Sequence, residues 1–537
     1  MTRRGREIGL ACVAVLWGLG CGLGPDELSP QDDGGESDSP TWREVDGAEE
    51  VFPEAAGELE IPDGVRVCSR GDLETALRDA QATGAEVVVV GEGCVIAGTF
   101  TVPAGVSLRG EAGAVLATPP EEGVRRPVLT VEAAEGMGTT SVVGLTIRSS
   151  SNYGIAVRGS SGGRAQLKDL VVEATRGVGV GAENLSGLEL TNVALDGGHA
   201  VGELRRSDPS LADPASEATH GLVIVRSGET TLEGVTIRGF AAIGVVMIDD
   251  DIVWSGGVVE DNGLAGLVTH GARVQLTDVA VRGLRVPGAF PIETTYGETR
   301  SWTGPPTFGA VFLGNSTVET TGLVVERGLH FGVAQEGGEA THDGLTVRAC
   351  GAAAVWAQSI RSFTLRGTAG APALLEDNRF AGVALIEPEA VTITDARVTS
   401  TGWGCEACGT LDEVRAGDGI QVARPKGAVT IHRAVLRNNA RIGLLLDMGG
   451  TNMSSVELTE ITVAGGEGSY GAHAQNAAGA EGWDVGISRE GSVAFDDPNL
   501  DGEILAIGRP LPAKAFPAVS RIAREGLVGI ADPDPPH

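Results

Sequence analysis

Between residues 219 and 285 three near-copies of one short unit follow each other without interruption: GLVIVRSGETTLEGVTIRGFAAI from Gly221, GVVMIDDDIVWSGGVVEDNGLA from Gly244 and GLVTHGARVQLTDVAVRGL from Gly266. The leading glycines stand 23 and 22 residues apart. Each copy carries a glycine, a period-2 apolar run (Leu222/Ile224, Val245/Met247, Leu267/Thr269), a polar turn, and a second run such as Leu232, Val235 and Ile237. That pattern reads as two short strands and two turns per repeat. A unit this short cannot bury an apolar face alone, whereas stacked units make a continuous core flanked by parallel sheets. The expected fold is therefore all-β, a parallel β-helix.

A solenoid can run to 537 residues as one domain, because each coil needs only its neighbours. The 81 glycines suit tight corners, and 11 Phe, 7 Trp and 3 Tyr suit a narrow interior filled with aliphatic side chains. With 72 Asp and Glu against 40 Lys and Arg, the net charge of −32 repels nucleic acid and anionic membrane surfaces. Nucleic acid is excluded as a partner, and membrane contact is expected only through an N-terminal lipid. The same acidity keeps an elongated monomer soluble.

Residues 1–21, MTRRGREIGLACVAVLWGLGC, place three arginines before an apolar stretch from Ile8 to Leu19 that is too short to span a bilayer. This is the pattern of an export signal. Its ending, Leu19-Gly20-Cys21, resembles the bacterial lipoprotein lipobox, although Gly18 stands where that family prefers Leu. The resemblance implies lipidation at Cys21 and an exported protein of the cell envelope, at the outer membrane. Ordinary cleavage would instead leave a freely secreted protein. Residues 22–60 are dominated by acids, Pro, Ser and Gly up to Glu50 and read as a disordered tether.

From Ser69 the text becomes SRGDLETALRDAQATG, with Leu73, Ala76, Leu77 and Ala80 at helical spacing, Ser69 as N-cap and Gly84 as terminator. A helix over about 70–83 follows, then VVVV at Val87–Val90 and GEGCVIAGTFTVPAGVSLRGEAGAVL. This succession resembles the N-terminal cap and first coils of the pectate-lyase-like right-handed β-helix superfamily, over most of residues 65–490. Glycine-led strands recur from Gly154 and Gly177 to Gly443 and Gly471, with Ala354 in the same register. The residues one after, including Ile155, Val178, Leu222, Val245, Leu267, Val333, Val383, Ile420 and Leu444, are expected to stack inside as a ladder. The β-helix is expected over 61–490, on the order of fourteen coils and roughly 70 Å long. A C-terminal cap and proline-rich tail follow over 491–537.

Three steps, of 44, 43 and 37 residues, break the usual period of 22–24, and all three excesses fall after the second run and before the next glycine. They mark insertions at about 199–219, 287–307 and 403–417 on one corner, whose prolines suit loops better than ladder strands. Phe290, Tyr296, Trp302 and Trp403 fall within them, and in a chain so poor in aromatics they are candidates for stacking on sugar rings.

Cys68 and Cys94 flank the cap helix. A bridge between them closes a loop of about 27 residues and contributes roughly 3.5 kcal/mol in the chain-entropy model. Cys405 and Cys408 form a CxxC in the third insertion without helical surroundings or a second ligand pair. They read as a local disulfide staple rather than a redox or zinc site. Cys350 is left over.

Enzymes of the resembled superfamily act on acidic or neutral polysaccharides, some with bound calcium. Calcium would accordingly enter only if this chain were a polysaccharide lyase; no other cofactor is expected. Asp249-Asp250 supplies one term of the polygalacturonase-like set, but its Asn-Thr-Asp and Gly-His-Gly partners are absent, and the pectate-lyase-like His and arginine motif do not follow the IDDD run. Register alone brings Arg226, Asp249 and His270 onto adjacent coils, within about 10 Å, where they could bind a cation or work on a sugar. Six places before the glycine register come Arg238 and Glu260, with Arg282 equivalent one coil on, and the three read as a cross-strand ion ladder. Two readings follow. One is a surface-anchored, non-enzymatic β-helix that binds a polysaccharide or surface protein through its inserted loops. The other is a polysaccharide lyase, glycoside hydrolase or epimerase with an unrecognised site.

Overall fold

The computed structural model describes residues 64–91, 93–119, 126–150, 153–160, 162–174, 177–198, 218–263, 265–283, 308–328, 330–368, 370–402, 417–447, 455–464 and 470–475. It also describes short strand segments at 291–293, 299–301, 487–490, 494–495 and 505–506. Every coil contributes parallel strands to two long sheets, one of 25 strand segments (sheet I) and one of 15 (sheet II). The glycine-led runs form sheet II, as in Ile243–Ile248 and Ala265–His270. The molecule is a parallel β-helix.

Each coil has three corners rather than the two read from the sequence. Within sheet I the second run is bent once per coil at a residue in the left-handed region: Asp169 (φ 52°), Asn192 (52°), Gly234 (61°), Asp278 (53°), Gly322 (66°) and Asp395 (54°). Some coils keep one strand through the bend, as Glu229–Arg238; others split into two, as Arg273–Thr277 and Ala280–Arg282. A left-handed residue shifts the pleat, so inward side chains flank it at i−2 and i+1. Leu276 and Val279 around Asp278 are both fully buried. Asn, Asp and Gly tolerate that conformation best. The three-residue step between apolar positions, Leu232 to Val235, is the mark this bend leaves in the sequence.

The glycine that opens sheet II strands is required by close approach. A Cβ on Gly244 would stand 2.6 Å from the carbonyl oxygen of Gly266 and 2.5 Å from Val259 Cγ1. This column corrects one register. Ile155 faces Val180, and Val180 faces Leu222, so Gly179 rather than Gly177 belongs to it, and Val178 lies off the internal ladder. The segment GVGVG offers three glycines of equal spacing, and a register irregularity at Gly177/Val178 absorbs the difference.

Polar side chains turned inward at the corners satisfy backbone groups. Asn262 Oδ1 accepts from Phe240 N at 3.0 Å, Asn378 Oδ1 from Cys350 N at 3.1 Å and Asn439 Oδ1 from Thr401 N at 3.3 Å. Each ties its coil to the one before and keeps a buried N–H from going unpaired. Outside, charges alternate along sheet I as the sequence suggested. Arg238 pairs with Asp196 at 3.1 Å, Arg282 with both Glu260 (3.5 Å) and Glu326 (3.6 Å), and Arg348 with Glu376 (3.3 Å). These pairs are solvent-facing, each worth under about 1 kcal/mol, and they favour one register.

The insertions begin and end at one corner. Third strands end at Asp196, Arg282 and Thr399, and sheet II resumes at Ala218, Phe308 and Asp418. Ala218 and Thr219, expected within the first insertion, already belong to the strand. Inside the second, Pro291–Glu293 pairs antiparallel with Thr299–Ser301, which no further parallel coil would do. Coil pairing also outlasts the expected end at 490: Ala494–Phe495 pairs with Thr462–Val463 and Leu505–Ala506 with His473–Ala474. Two-residue strands leave no periodicity to read.

At the N-terminal end, helix α1 (Arg70–Thr83) buries Leu73, Ala76, Leu77 and Ala80 against the open core. Ser69 Oγ accepts from Asp72 N, and Gly84, in the left-handed conformation, donates to the Ala80 carbonyl. Cys68 and Cys94 are disulfide-bonded with Cα atoms 5.6 Å apart, fastening the start of α1 to the first coils. Among the described residues no helix is long and apolar enough to cross a membrane. We expect Cys94→Ala to lower stability by roughly 3 kcal/mol and to open the first coils to protease; an unchanged melting temperature would refute the cap's dependence on this bond.

Candidate functional site

The sheet II strands deliver Arg226 and Asp249 to the first corner of adjacent coils, both left-handed (φ 50° and 55°) and both exposed. Backbone pairing runs from Arg226 N to the Ile248 carbonyl and from Asp249 N to the His270 carbonyl, both at 3.0 Å. His270 stands across from Ile248, one position before the Arg226–Asp249 column. The three residues thus share a corner. Among the described residues no hydrogen bond or ion pair joins their side chains.

The chemically distinctive carboxyl at this corner is Asp250, which the sequence reading passed over in favour of Asp249. It is 4% exposed, and its Oδ1 accepts from Ser227 N. Burial pushes its pKa up to about 6, against the opposing hydrogen bonds from Ser227 and Gly228 N–H. A carboxyl poised there is a candidate acid or base in principle. Its place argues otherwise, because Oδ2 is itself buried without a partner and no reacting atom can reach it. Ser316 does the same task two coils on: its Oγ accepts from Ala272 N at 3.4 Å and donates to the Leu313 carbonyl at 2.7 Å. Asp250 is a structural rung.

A second buried titratable group, His342, lies inside the coils between Phe312 and Phe363, with ring centroids 6.5 and 5.9 Å away. Its Nδ1 meets Thr320 Oγ1 at 2.9 Å, and burial lowers its pKa to about 4. Cys350 is buried and free, its thiol pushed up to about 12 by burial and so unreactive. Phe290, Tyr296, Trp302, Trp403, Cys405, Cys408 and Cys21 all lie outside the described residues. Among the described residues no three His, Cys, Asp or Glu side chains gather where a metal ion would sit.

A cleft of about 410 Å³ opens at the bend of sheet I, where one coil is longer than its neighbour. Arg366 faces Thr394 and Leu374 faces Arg397, so eight residues on one coil span what three cover on the next. The surplus, closed by Ala371 N donating to the Thr368 carbonyl at 3.1 Å, overhangs the two following coils. Beneath it Arg433 grips Asp395 through two hydrogen bonds of 2.5 and 2.6 Å. Those bonds hold the Asp395 carboxyl below the usual carboxylate range. Arg397 lines the same cleft, exposed, with no ion pair or hydrogen bond among the described residues. Ala371 and Pro372 on the surplus and Val435 below it supply apolar surface. An ionised, arginine-clamped carboxylate is a poor general acid and a weak base, yet it keeps lone pairs for hydroxyl donors. The free guanidinium adds a fork of donors. The 28-residue step from Ala354 to Gly382 was the available sequence signal for this longer coil.

Two opposite pH dependences follow from the buried groups. His342, lowered in the folded state, contributes stability that is present above the unfolded value of 6.5 and is lost as pH falls towards 4, about 3 kcal/mol in all. Asp250, raised, contributes stability that is present below 3.8 and is lost as pH rises to about 6, again about 3 kcal/mol. The two offset each other between pH 4 and 6.5. Asp250→Asn should therefore raise stability at pH 8 and change it little at pH 4, while His342→Leu should remove the loss on acidification; urea titrations across pH check both.

No protein-family model matches the chain, and neither does any curated protein. Among solved structures, the enzymatically active domain of bacteriophage CBA120 tailspike protein 2 is 10% identical with a TM-score of 0.35, covering 60% of this chain and 44% of that domain. The Dettilon tailspike protein is 11% identical with a TM-score of 0.30, covering 78% and 64% respectively. The A-module of the Azotobacter vinelandii mannuronan C-5 epimerase AlgE4 is 15% identical with a TM-score of 0.27, covering 82% and 96%. This chain thus spans under half the length of the CBA120 domain and nearly all of the epimerase module.

Proposed function

We propose that this protein is an exported β-helix that holds a glycan on its lateral surface without cleaving it. The cleft at the sheet I bend carries the reading: a clamped carboxylate, a free arginine and an apolar floor set in about 410 Å³, within the range of about 300–1,000 Å³ usual for small-ligand sites. Sugar hydroxyls would donate to Asp395, Arg397 would donate to ring or hydroxyl oxygens, and the C–H face of a ring would lie on Pro372 and Val435. The Cys68–Cys94 bond supports export, since such bonds persist in oxidising compartments. Anchoring through a lipid on Cys21 completes the reading and would tether the solenoid at the cell envelope.

A panel of neutral and acidic polysaccharides, with calcium present, tests this by retention together with assay of new reducing or unsaturated ends. Arg397→Ala should weaken retention of the best glycan about tenfold or more, the scale of a lost charge-assisted hydrogen bond. Turnover abolished by Asp249→Asn or His270→Ala, with Arg397→Ala silent, would put the enzyme reading first. Separately, the wild type should fractionate with membranes and Cys21→Ser should be released; a freely soluble wild type after export would end the lipoprotein reading.

A further inference from the structure

One outward column of sheet I carries charge that alternates coil by coil, from Asp196 and Arg238 to Arg348 and Glu376. The next members are Thr399, Arg437 and Ala464. The alternation calls for an acid at Thr399, so Arg437 faces a neutral residue on either side. Two positions earlier on the same strands a second column runs from Val171 to Thr462, and Arg397 is its one charged residue. Leu374 and Val435 stand across from it. Both arginines are exposed, and among the described residues neither side chain has an ion pair or hydrogen bond. The carboxylates around them are engaged elsewhere. Glu376, diagonal to Arg397 on the preceding coil, pairs with Arg348 at 3.3 Å, and Asp395 pairs with Arg433. Glu460, at the bend of the following coil, also acts on Arg433. Arg397 lines the cleft, and Arg437 follows two residues after Val435, which lines it too. Parallel strand spacing puts the two arginine Cα atoms about 8 Å apart, within reach of one anion held between their heads. A chain of net charge −32 thus leaves two adjacent guanidinium groups uncompensated where the ladder breaks.

We propose that Arg397 and Arg437 form an anion-binding pair at the rim of the cleft, and that the ligand held there carries a carboxylate or a sulfate ester. This rests on the reading of the cleft as a glycan site. Each guanidinium presents parallel N–H donors that a carboxylate or sulfate accepts two at a time. The anion supplies the counter-charge that the ladder omits at Thr399. Asp395, already balanced by Arg433, is left to accept hydroxyls from the neutral part of the sugar. Acidic surface on the other coils then confines a polyanion to this stretch.

Three matrices with one backbone test this on the full chain: dextran, carboxymethyl-dextran and dextran sulfate. A charged matrix should retain the protein at least tenfold more strongly than dextran, against the overall repulsion, and which of the two does so separates carboxylate from sulfate. Arg397→Ala and Arg437→Ala should each weaken that retention about tenfold, with the melting temperature unchanged. In parallel, glucuronate or glucose sulfate should slow phenylglyoxal modification of Arg397 and Arg437 severalfold, mapped by mass spectrometry, and leave exposed Arg226 at the first corner unprotected. Equal retention on dextran with Arg437→Ala silent would overturn the anion pair and leave the glycan reading standing. Protection of both arginines without retention on any matrix would uphold the pair and sink the glycan reading. Loss of both retention and protection would end the proposal.

Discussion

Everything in this molecule depends on the axial approach of one coil to the next. Parallel strands pair at a fixed spacing of about 4.8 Å, and at the opening of sheet II that spacing leaves no room for a Cβ. On Gly419, for instance, it would lie 2.5 Å from the Gly443 carbonyl oxygen. Coils that close this tightly must also turn tightly, and each spends a left-handed residue at its bend. The abundance of glycine, and of Asp and Asn at the turns, follows from that single requirement.

The same closeness explains the polar interior. A corner residue whose N–H faces inward finds no water, so a side chain from the next coil must accept it. Asn262, Asn378 and Asn439 do so at one corner, and Ser316 and Asp250 at another. An aspartate in that role costs least when protonated, and burial raises its pKa to about 6. His342 is the mirror case, neutral because its surroundings cannot support a charge. The two titrate in opposite senses, which buffers the solenoid against acid.

Function, on this view, is carried where the coil pattern is broken. The longer coil at Gly367–Pro372 overhangs two regular ones and makes a cleft that no uniform repeat would contain. The surplus at the third corner borders a sheet whose outer face is as apolar as its inner one. On the regular coils of sheet I, Arg238, Arg282, Arg348 and Arg366 are taken up by cross-coil ion pairs.

The sequence by itself determined the fold. Glycines 22 or 23 residues apart, each followed by an apolar run, admit stacked parallel coils and little else, and the capped helix at Ser69 and the bracketing cysteines mark the end of the stack. It also determined that three insertions share a corner. The third corner of each coil left a mark that a two-turn reading misses, the three-residue step from Leu232 to Val235, and the buried outer positions of sheet II left another, runs such as GVVMI and AAVWA that are apolar without alternation, as strands buried on both sides are. Only the tertiary structure decided the rest. Spacing cannot choose among Gly177, Gly179 and Gly181; the pairing of Ile155 with Val180 does. Adjacent carboxylates look alike in the sequence, yet the turn sends Asp249 into solvent and Asp250 into the core. The cleft joins residues from three coils, Thr368, Asp395 and Arg433, that lie up to 65 positions apart. Their meeting depends on register, a long-range property fixed by how whole coils stack rather than by any local stretch of chain.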